Sequence, residues 1–414
     1  MSDDQSATSD DSGGTRRQFL RVAGATGLAG VLGLAGWTGR VLYLHSENER
    51  TSIDADDPFR SDRSGPSATT VPASRLLTVL DAYSATRSNV GLQACAIFDD
   101  GTQWRGVAGY ADHDDEIPLA FTHHLYVGSV TKLYTATLVL DRVQQGELSL
   151  SDTIDEWFGF EYASDVTVRM LLNHTSGIPS YTGDAWFLAR YLGRPTRTWA
   201  PDDLLEVIRG SELRFEPGTQ HEYSNSNYVL LGIILGDVTG QSYGTLVQRL
   251  VRDEAGFDRT YYRDYPSDTR IANAYDESIF NLGRRNLTGF RESLETGAYA
   301  AGGILSTAPE VAGFVRSLFT GGVLNESTLA AMQRFVDAPD PDVPAQRGYG
   351  LGVRQLIIDG QYVVGHTGTI PGYSAIAMHH SDPAYTIAVL SNRSTIDQTQ
   401  VFSRLQRTVL DGYY

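Results

Sequence analysis

The chain of 414 residues predicts an α+β fold, in which helices flank an antiparallel sheet and a helical subdomain is inserted into it. Two observations support this prediction. Alternating or continuous apolar segments typical of strands occur early, in residues 90–111, and late, in residues 349–390. Residues 150–300 between them indicate mostly short helices and loops. One sheet is therefore expected to combine strands from both ends of the chain.

The N-terminal region has the features of an export signal. Arg16 and Arg17 precede a Phe-Leu step and a Gly- and Ala-rich apolar run, and residues 22–39 carry no charge. This order is typical of a twin-arginine signal, which directs export across the cytoplasmic membrane. No clean Ala-x-Ala cleavage site is present. Residues 1–44 are therefore interpreted as a twin-arginine signal or an uncleaved N-terminal anchor, with an ordinary amphipathic helix as the alternative.

Such a signal predicts a protein that is extracellular or anchored to the outer face of the cytoplasmic membrane. Residues 45–72 are rich in Ser, Asp, Arg and Pro without apolar periodicity, which indicates a linker. The folded domain is expected at residues 73–414. It begins with a predicted helix at residues 73–87, where leucines and a valine recur at helical spacing.

The remaining elements follow from periodicity and turn residues. Residues 90–98 and 103–111 predict two strands around an Asp-Asp-Gly turn. Helices are expected at residues 129–145, before Gly146, and at residues 228–238. The late strands are predicted at residues 349–356, 361–367, 374–379 and 385–390, and a closing helix at residues 398–410.

The charge balance limits the possible partners. The chain has 50 acidic and 33 basic residues, a net charge of −17, and its acidic residues are spread along the sequence. Such a surface repels nucleic acid and anionic membranes, so contact with a membrane is expected only through the N-terminal segment. Acidic excess with almost no lysine is also typical of halophilic proteins, because molar salt screens charges within about 3 Å. A high-GC codon bias is the alternative explanation.

The one cysteine and several histidines are interpreted as structural. Cys95 is the one cysteine and has apolar neighbours, which indicates a core residue without a disulfide or a metal. His174 follows a buried-looking helix end and is expected to be a structural hydrogen-bonding residue. Two adjacent pairs lack metal-ligand spacing and are expected at the surface or in loops: His123-His124 and His379-His380.

The strongest sign of chemistry is the segment around Ser129. Of the 33 basic residues only Lys132 is a lysine, and it follows Ser129 by three positions. Lysine can lose its proton whereas arginine cannot, and positions i and i+3 share a helix face. We therefore expect a serine nucleophile with an amine base, at a helix N-terminus that suits an oxyanion. Gly128 is expected to let a substrate approach the backbone.

Two further motifs are weaker when taken alone. In Tyr223-Ser224-Asn225, a phenol and an amide would face the same side of an extended loop, although a polar turn is an equal alternative. In Gly365-His366-Thr367-Gly368-Thr369, a strand end could line a cleft and supply a backbone N–H to an oxyanion. A surface turn is the alternative interpretation of that segment.

Taken together and in this order, the three motifs resemble those of the serine β-lactamase and penicillin-binding-protein superfamily, in its class C β-lactamase-related branch. The resemblance covers about residues 73–412 and includes the stretches at residues 171–177, 215–218 and 301–307. It implies a β-lactamase/transpeptidase-like fold and a serine hydrolase without a metal or an organic cofactor. The chain has no Gly-x-Ser-x-Gly elbow, which disfavours an α/β-hydrolase.

The resemblance also implies a role for each motif residue. Ser129 would be acylated, Lys132 would orient it and shuttle its proton, and Tyr223 would be general base and acid with its proton affinity lowered by Lys132. Asn225 would hold the substrate amide or ester. The oxyanion would bind between the backbone N–H groups of Ser129 and Thr369. The far wall of the cleft would be formed by His366, Thr367 and Gly368.

One position departs from the family pattern. His366 stands where β-lactamases and transpeptidases usually have a lysine that holds a substrate carboxylate, and a neutral histidine is a weaker partner for it. The expected function is an exported serine hydrolase that acts through a Ser129 acyl-enzyme on an ester or a small peptide or amide. A β-lactamase or a D-alanyl-D-alanine carboxypeptidase is the alternative enzyme. A catalytically weak surface binding or sensor protein is the alternative of another class.

Overall fold

The computed structural model describes residues 73–277 and 283–412. The predicted signal at residues 1–44 and the linker at residues 45–72 lie outside the described residues. The helices are α1 (Ala73–Ala85), α2 (Thr131–Gln144), α3 (Val168–Leu172), α4 (Ala185–Gly193), α5 (Pro201–Ile208), α6 (Asn225–Thr239), α7 (Tyr243–Gln248), α8 (Arg291–Gly302), α9 (Ala308–Phe319), α10 (Glu326–Met332) and α11 (Gln398–Leu410). No helix among the described residues is long and apolar enough to cross a bilayer.

Most of the strands belong to one large sheet. The strands are β1 (Leu92–Ile97), β2 (Gln103–Ala108), β3 (Tyr110–Asp112), β4 (Ile117–Pro118), β5 (His123–Tyr126), β6 (Arg270–Ile271), β7 (Tyr275–Asp276), β8 (Arg285–Asn286), β9 (Leu305–Ser306), β10 (Val336–Asp337), β11 (Gln346–Tyr349), β12 (Arg354–Ile358), β13 (Gln361–Ile370), β14 (Tyr373–Ser381) and β15 (Ala384–Ser391). Eight of them form an antiparallel sheet in the order β10-β11-β12-β13-β14-β15-β1-β2.

The two ends of the chain meet at the pairing of β1 with β15. Leu92 lies opposite Ser391 and Ile97 lies opposite Thr386. Because this pairing places the early hairpin beside the last strand, the predicted sheet from both chain ends is confirmed. All six residues of β1 are buried, since helices cover both faces of the sheet there. Cys95 belongs to one of the two cores and is fully buried, as predicted.

Apolar side chains divide the core into two layers. On one face, α1 and α11 pack through Leu80 and Phe402 against the side of the sheet that carries Ala94. On the other face, α9 packs through Phe314 into the core that contains Cys95. This second core continues into the helical subdomain, which lies between β5 and β9 in the sequence and includes α2 and α6. The α+β prediction, with helices on both faces and an inserted helical region, is therefore confirmed.

Three predicted elements differ in detail. The strand expected at residues 349–356 is interrupted, because Gly352 has a φ of +82° and its N–H donates to the Gly350 carbonyl oxygen. The strand expected at residues 103–111 divides at Gly109, where a φ of +71° separates β2 from β3. The helix expected at residues 129–145 opens with a 3₁₀ turn. Glycine supplies the positive φ that breaks both strands.

The adjacent histidine pairs lie neither at the surface nor in loops, so that prediction is wrong. All four residues are in strands, with at most 9% of each exposed: His123, His124, His379 and His380. Their ring nitrogens serve local hydrogen bonds. The Nδ1 atom of His123 accepts from the Ala120 N–H at 3.1 Å, and the Nδ1 atom of His379 lies 2.9 Å from the Thr386 hydroxyl.

Candidate active site

Ser129 and Lys132 lie on one side of a tight turn. Ser129 is the central residue of the 3₁₀ turn Gly128–Val130, which leads directly into α2, and Lys132 is in the first turn of that helix. The Lys132 Nζ atom is 3.1 Å from the Ser129 Oγ atom. The spacing of three residues therefore brings the hydroxyl and the amine within hydrogen-bond distance, as the sequence predicts.

Lys132 is fully buried, and its amine has three polar neighbours. Besides Ser129, these are the Asn225 Oδ1 atom at 2.7 Å and the Ala301 carbonyl oxygen at 2.8 Å. Burial, and then the positive charge of Arg354, lower the pKa of Lys132 well below its usual value. A neutral amine can donate to Asn225 and Ala301 while its lone pair accepts the Ser129 proton. The arrangement therefore suits a base.

Tyr223 covers the other side of this amine. The Lys132 Nζ atom is 4.8 Å from the centroid of the Tyr223 ring. The phenolic oxygen is buried and has no well-formed hydrogen bond to the residues that the structure describes. Burial raises the pKa of Tyr223, and the nearby Arg354 and Ser129 oppose that rise. The cation that opposes this rise most is Arg354. The expectation that Lys132 lowers the proton affinity of Tyr223 stays a prediction.

Arg354 is the residue of the site that the sequence reasoning missed. It begins β12, it is 5% exposed, and its guanidinium carbon lies 4.7 Å from the Tyr223 ring centroid. Its Nη1 atom donates to Asp340 at 3.0 Å and to Gln346. A buried guanidinium needs such partners, because the desolvation of an unpaired charge is costly. The sequence signal that could have revealed Arg354 is a charged residue at the start of a largely apolar strand segment.

Asn225 is held by contacts on both sides of its amide. Its Oδ1 atom accepts from Lys132, and its Nδ2 atom donates to the Thr182 Oγ1 atom at 3.1 Å. Its backbone N–H donates to the Ser180 Oγ atom at 3.1 Å. Asn225 is the first residue of α6 rather than part of an extended loop, because the predicted helix at residues 228–238 begins three residues earlier. Asn225 and Tyr223 nevertheless border the same cleft, as expected.

His174 supports Tyr223 from behind. Its ring is fully buried, with its centroid 4.3 Å from that of Tyr223. The Nδ1 atom accepts from the Ser224 N–H at 3.2 Å and lies 3.2 Å from the Asn227 Nδ2 atom. Burial lowers the pKa of His174 well below its usual value, so the ring is neutral at physiological pH. The predicted structural role of His174 is therefore consistent with its position.

His366 does not line the cleft, which corrects the expected wall of His366, Thr367 and Gly368. His366 has no exposed surface, and its ring nitrogens contact the Tyr349 hydroxyl at 2.9 Å and the Thr367 carbonyl oxygen. Alternate residues of a strand face opposite sides of a sheet. The side chains of Thr367 and Thr369 therefore face the cleft, which both residues border, whereas the side chain of His366 faces inward and Gly368 does not border the cleft.

The end of β13 provides the free backbone groups that an oxyanion requires. Ile370 and Tyr373 close the β13–β14 hairpin, so Thr367 and Thr369 direct their amides away from β14. These amides point to the side of β13 that faces β12, and β12 pairs with β13 only as far as Gly365. The N–H of Thr369 is therefore available beside the N–H of Ser129. These two groups are the donors that the resemblance implies for the oxyanion.

Two glycines allow this close approach of backbones. A Cβ atom on Gly368 would lie 2.0 Å from the Val127 carbonyl oxygen and 2.8 Å from the Ser129 nitrogen. A Cβ atom on Gly128, which has a φ of +53°, would lie 2.8 Å from the Thr369 nitrogen. Gly128 is therefore needed for packing of the nucleophile turn on β13. The expectation that it also lets a substrate approach the backbone stays a prediction.

The site opens into a cleft of about 820 Å³. Its lining includes Ser129, Tyr223 and Asn225 and the members of two ion pairs. These pairs are Arg354–Asp340 at 3.0 Å and Arg214–Glu222 at 3.2 Å. His221 also borders the cleft, and burial lowers its pKa to about 4. Among the described residues that line the cleft, every cationic side chain thus has an acidic partner or is held neutral.

Fold and site together define a serine hydrolase, in which the Lys132 amine lies within hydrogen-bond distance of the Ser129 hydroxyl. The Beta-lactamase family model matches residues 77–406, so the chain belongs to that family. Penicillin-binding protein 4* of Bacillus subtilis (strain 168) is 28% identical over 297 residues, which are 69% of this chain and 64% of that protein. This chain thus spans less than two thirds of the relative's length. Protein flp of Staphylococcus aureus (strain NCTC 8325 / PS 47) is 36% identical over 141 residues, 33% of this chain and 27% of that protein.

Solved structures share the same architecture. The D-amino acid amidase from Ochrobactrum anthropi SV3 superposes with a TM-score of 0.73 at 23% identity, covering 82% of this chain and 99% of that one. The D-stereospecific amidohydrolase from Streptomyces sp. has a TM-score of 0.70 at 29% identity, with coverages of 82% and 99%. The predicted superfamily, fold and enzyme class are therefore confirmed.

Proposed function

We propose that the protein is an exported serine hydrolase that cleaves small amide, ester or peptide substrates through an acyl-enzyme on Ser129. The observation that carries the proposal is the buried amine of Lys132, 3.1 Å from the Ser129 Oγ atom and anchored by Asn225 and Ala301. Burial lowers the pKa of this amine well below its usual value and so favours the neutral form, which can take the hydroxyl proton. A surface lysine at the same distance would remain protonated.

The reaction follows from this geometry in two steps. The Ser129 oxygen attacks the substrate carbonyl carbon while its proton passes to Lys132, and the resulting oxyanion is bound by the N–H groups of Ser129 and Thr369. The C–N or C–O bond then breaks, and the leaving amine or alcohol takes a proton from Lys132 through the Tyr223 hydroxyl. Water attacks the acyl-enzyme with the same groups acting as base, and releases the acid and free Ser129.

The charges of the cleft favour neutral or amine-bearing substrates over carboxylates. Arg354 and Arg214 are already paired with Asp340 and Glu222, and His366 is buried away from the cleft. A β-lactam or peptide carboxylate would therefore meet no unpaired cation among the described lining residues. The D-stereospecific amidohydrolase, at 29% identity, supports an amide as the substrate. The penicillin-binding relative supports the second candidate, a β-lactamase or D-alanyl-D-alanine carboxypeptidase.

A binding or sensor protein is the third candidate. Such a protein could keep the cleft without keeping the groups needed for acyl transfer. Here the chain retains all three groups, and the Lys132 amine lies beside both the Ser129 hydroxyl and the Tyr223 ring. This arrangement favours an enzyme.

The proposal is tested with the full chain and a Ser129→Ala control, in dilute buffer and in molar salt. An amino acid p-nitroanilide, a short-chain p-nitrophenyl ester and a cephalosporin serve as substrates. Turnover of the anilide or the ester should fall by at least about a thousandfold in the control. Rapid cephalosporin turnover would instead identify a β-lactamase, and no Ser129-dependent turnover of any substrate would overturn the enzyme proposal. Activity confined to dilute buffer would contradict the proposed halophilic adaptation.

Export is a separate part of the proposal and depends on Arg16 and Arg17. Replacing both by lysine preserves the charge but removes the paired arginines of the signal. The variant protein should remain in the cytoplasm, whereas the wild type should be found outside it or on the outer face of the membrane. Fractionation of cells that produce each form measures this difference. Unchanged export of the variant would contradict the twin-arginine route.

A further inference from the structure

One residue next to the Lys132 site has an unusual backbone conformation. Tyr299 lies inside α8 but has φ 44° and ψ −135°, which interrupt the helix. This region corresponds to the first central position of a type II′ turn, where Gly, Asn and Asp predominate. A tyrosine there is strained, and strained residues persist only when their surroundings hold them in place. The fold therefore requires this conformation at Tyr299.

The carbonyl groups that follow the kink bind side chains of α2. The Ala300 carbonyl oxygen accepts from the Thr135 Oγ1 atom at 2.7 Å, and the Ala301 carbonyl oxygen accepts from the Lys132 Nζ atom at 2.8 Å. In a continuing helix these carbonyls would accept from the backbone four residues later. Here those N–H groups have other partners, because Ile304 donates to the Thr131 hydroxyl at 3.1 Å. The two carbonyls are thus free to bind side chains of α2.

The Tyr299 ring supplies the contacts that hold the kink. It is 8% exposed, and its centroid is 5.3 Å from that of Tyr243 and 5.7 Å from that of Tyr262. It also packs directly over Gly232 of α6, where a Cβ atom would lie 2.6 Å from the Tyr299 Cε1 atom and 2.6 Å from the Ala300 Cβ atom. The absence of a side chain at Gly232 therefore makes room for the ring and for the start of the redirected segment.

We infer that Tyr299 is a positioning residue for the hydrolase reaction: its backbone aims the Ala301 carbonyl at the Lys132 amine, and its packed ring offsets the strain. The inference rests on the proposed function of Lys132 as the base. The Ala301 oxygen does two things at that amine. It fixes the direction of the lone pair toward Ser129, and it stabilises the ammonium form that follows proton transfer.

The test compares Tyr299→Gly with Tyr299→Ala, which lose the same ring and differ by one Cβ atom. Glycine adopts the observed conformation without strain, whereas alanine without the ring is expected to relax toward a helix. The Ala variant should lose kcat on the order of tenfold to a hundredfold, the range that misplacement of a reacting group produces. The Gly variant should recover most of that loss. The Tyr299→Phe control keeps the ring and should stay close to wild type.

A pH profile separates positioning from a general structural role. Because the Ala301 carbonyl favours the ammonium form of Lys132, its displacement should move the acidic limb of kcat/KM to lower pH in the Ala variant. The Gly variant should keep the wild-type limb. A Gly variant no more active than the Ala variant, or an unshifted limb in a less active Ala variant, would overturn the inference. If the wild-type protein itself shows no Ser129-dependent turnover, the proposed function is rejected instead.

Gly232→Ala provides an independent variant if the Tyr299 series folds poorly. Alanine in a helix interior normally stabilises the helix. Here the added Cβ atom should displace Tyr299 and Ala300, lower kcat and move the acidic limb in the same direction. The matched control is Gly159→Ala, because a Cβ atom there meets nothing within 4 Å. Wild-type kcat and pH limb in a folded Gly232→Ala protein would contradict the inference.

Discussion

The guanidinium of the buried Arg354 lies 4.7 Å from the ring centroid of Tyr223, whose phenolic oxygen is also buried. Arg354 lowers the pKa of Tyr223 and also that of Lys132. One cation thus favours the phenolate form of the tyrosine and the neutral form of the lysine, which are the two base forms. Arg354 lies in β12, the strand before the Gly365–Thr369 motif. It provides a buried positive charge, whereas His366 within that motif does not.

Removal of the Arg354 charge should raise the pKa of Lys132 and of Tyr223 together. The double variant Arg354→Gln with Asp340→Asn removes the charge without leaving a buried aspartate unpaired. The acidic limb of kcat/KM should move to higher pH, because more of each base is protonated at a given pH. Arg354→Lys is the control that keeps the charge. A pH profile of the double variant that matches wild type would refute this role.

Lys132→Arg tests whether the amine must lose its proton. Arginine keeps the positive charge but is not deprotonated in proteins, so it cannot accept the Ser129 proton. The turnover of an activated ester should fall by about a thousandfold or more, comparable to Ser129→Ala. Circular dichroism and thermal unfolding check that the variant is folded. Substantial turnover by a folded Lys132→Arg protein would show that Lys132 acts only through its charge.

The local part of the site could be predicted from the sequence, whereas its long-range part could not. Ser129 and Lys132 are three residues apart on one helix, so helical geometry alone predicts their contact. Arg354 begins a strand of its own because Gly352, with a φ of +82°, interrupts the predicted strand, and no periodicity indicates that break. The sharing of one sheet by the early and late strands was predictable, because strand signals occur at both ends of the chain.

The error at His366 has a similar origin. The motif indicates which residues end the strand but not which face of the sheet each side chain occupies. The structure buries His366 against Tyr349 and exposes Thr369. A one-residue difference in register would exchange these faces, so only the pairing of β13 with β14 decides between them.

His366→Lys should therefore destabilise the protein instead of creating a carboxylate site. The introduced amine would be buried where the imidazole now contacts the Tyr349 hydroxyl and the Thr367 carbonyl, without an acidic partner. The melting temperature should fall, and the ratio of cephalosporin to ester turnover should not rise. His366→Gln, which retains polar atoms without a charge, should lose less stability. A stable lysine variant with improved cephalosporin turnover would contradict the buried position.

Glu310 should make stability depend on pH. It is 7% exposed, and burial raises its pKa to about 7, while the Arg259 N–H donates to its carboxylate at 3.0 Å. Between about pH 4.5 and 7 the folded state binds more protons at this group than the unfolded state, so the free energy of unfolding falls as pH rises. Above pH 7 the full penalty, up to about 3 kcal/mol, is present.

Glu310→Gln keeps a hydrogen-bond acceptor and removes the ionisation. The variant should be more stable than wild type at pH 8, and the difference should shrink as the pH is lowered toward 4.5. Glu212→Gln, at an exposed position, is the matched control. Denaturant unfolding at a series of pH values measures the effect. A constant difference between the Glu310→Gln and wild-type proteins across this range would be inconsistent with a raised pKa.

Gly368→Ala should reduce activity by displacing the nucleophile turn from β13. The new Cβ atom would lie 2.0 Å from the Val127 carbonyl oxygen and 2.8 Å from the Ser129 nitrogen, so the two backbones must separate. Both proposed oxyanion donors lie at this contact, and loss of one such donor costs on the order of 10²–10³ in kcat. Gly159→Ala, where a Cβ atom meets no neighbour, should leave kcat unchanged. Because separation also disturbs packing, kcat is compared at a temperature at which both variants are folded. If Gly368→Ala retains wild-type kcat there, the oxyanion site does not depend on this close contact.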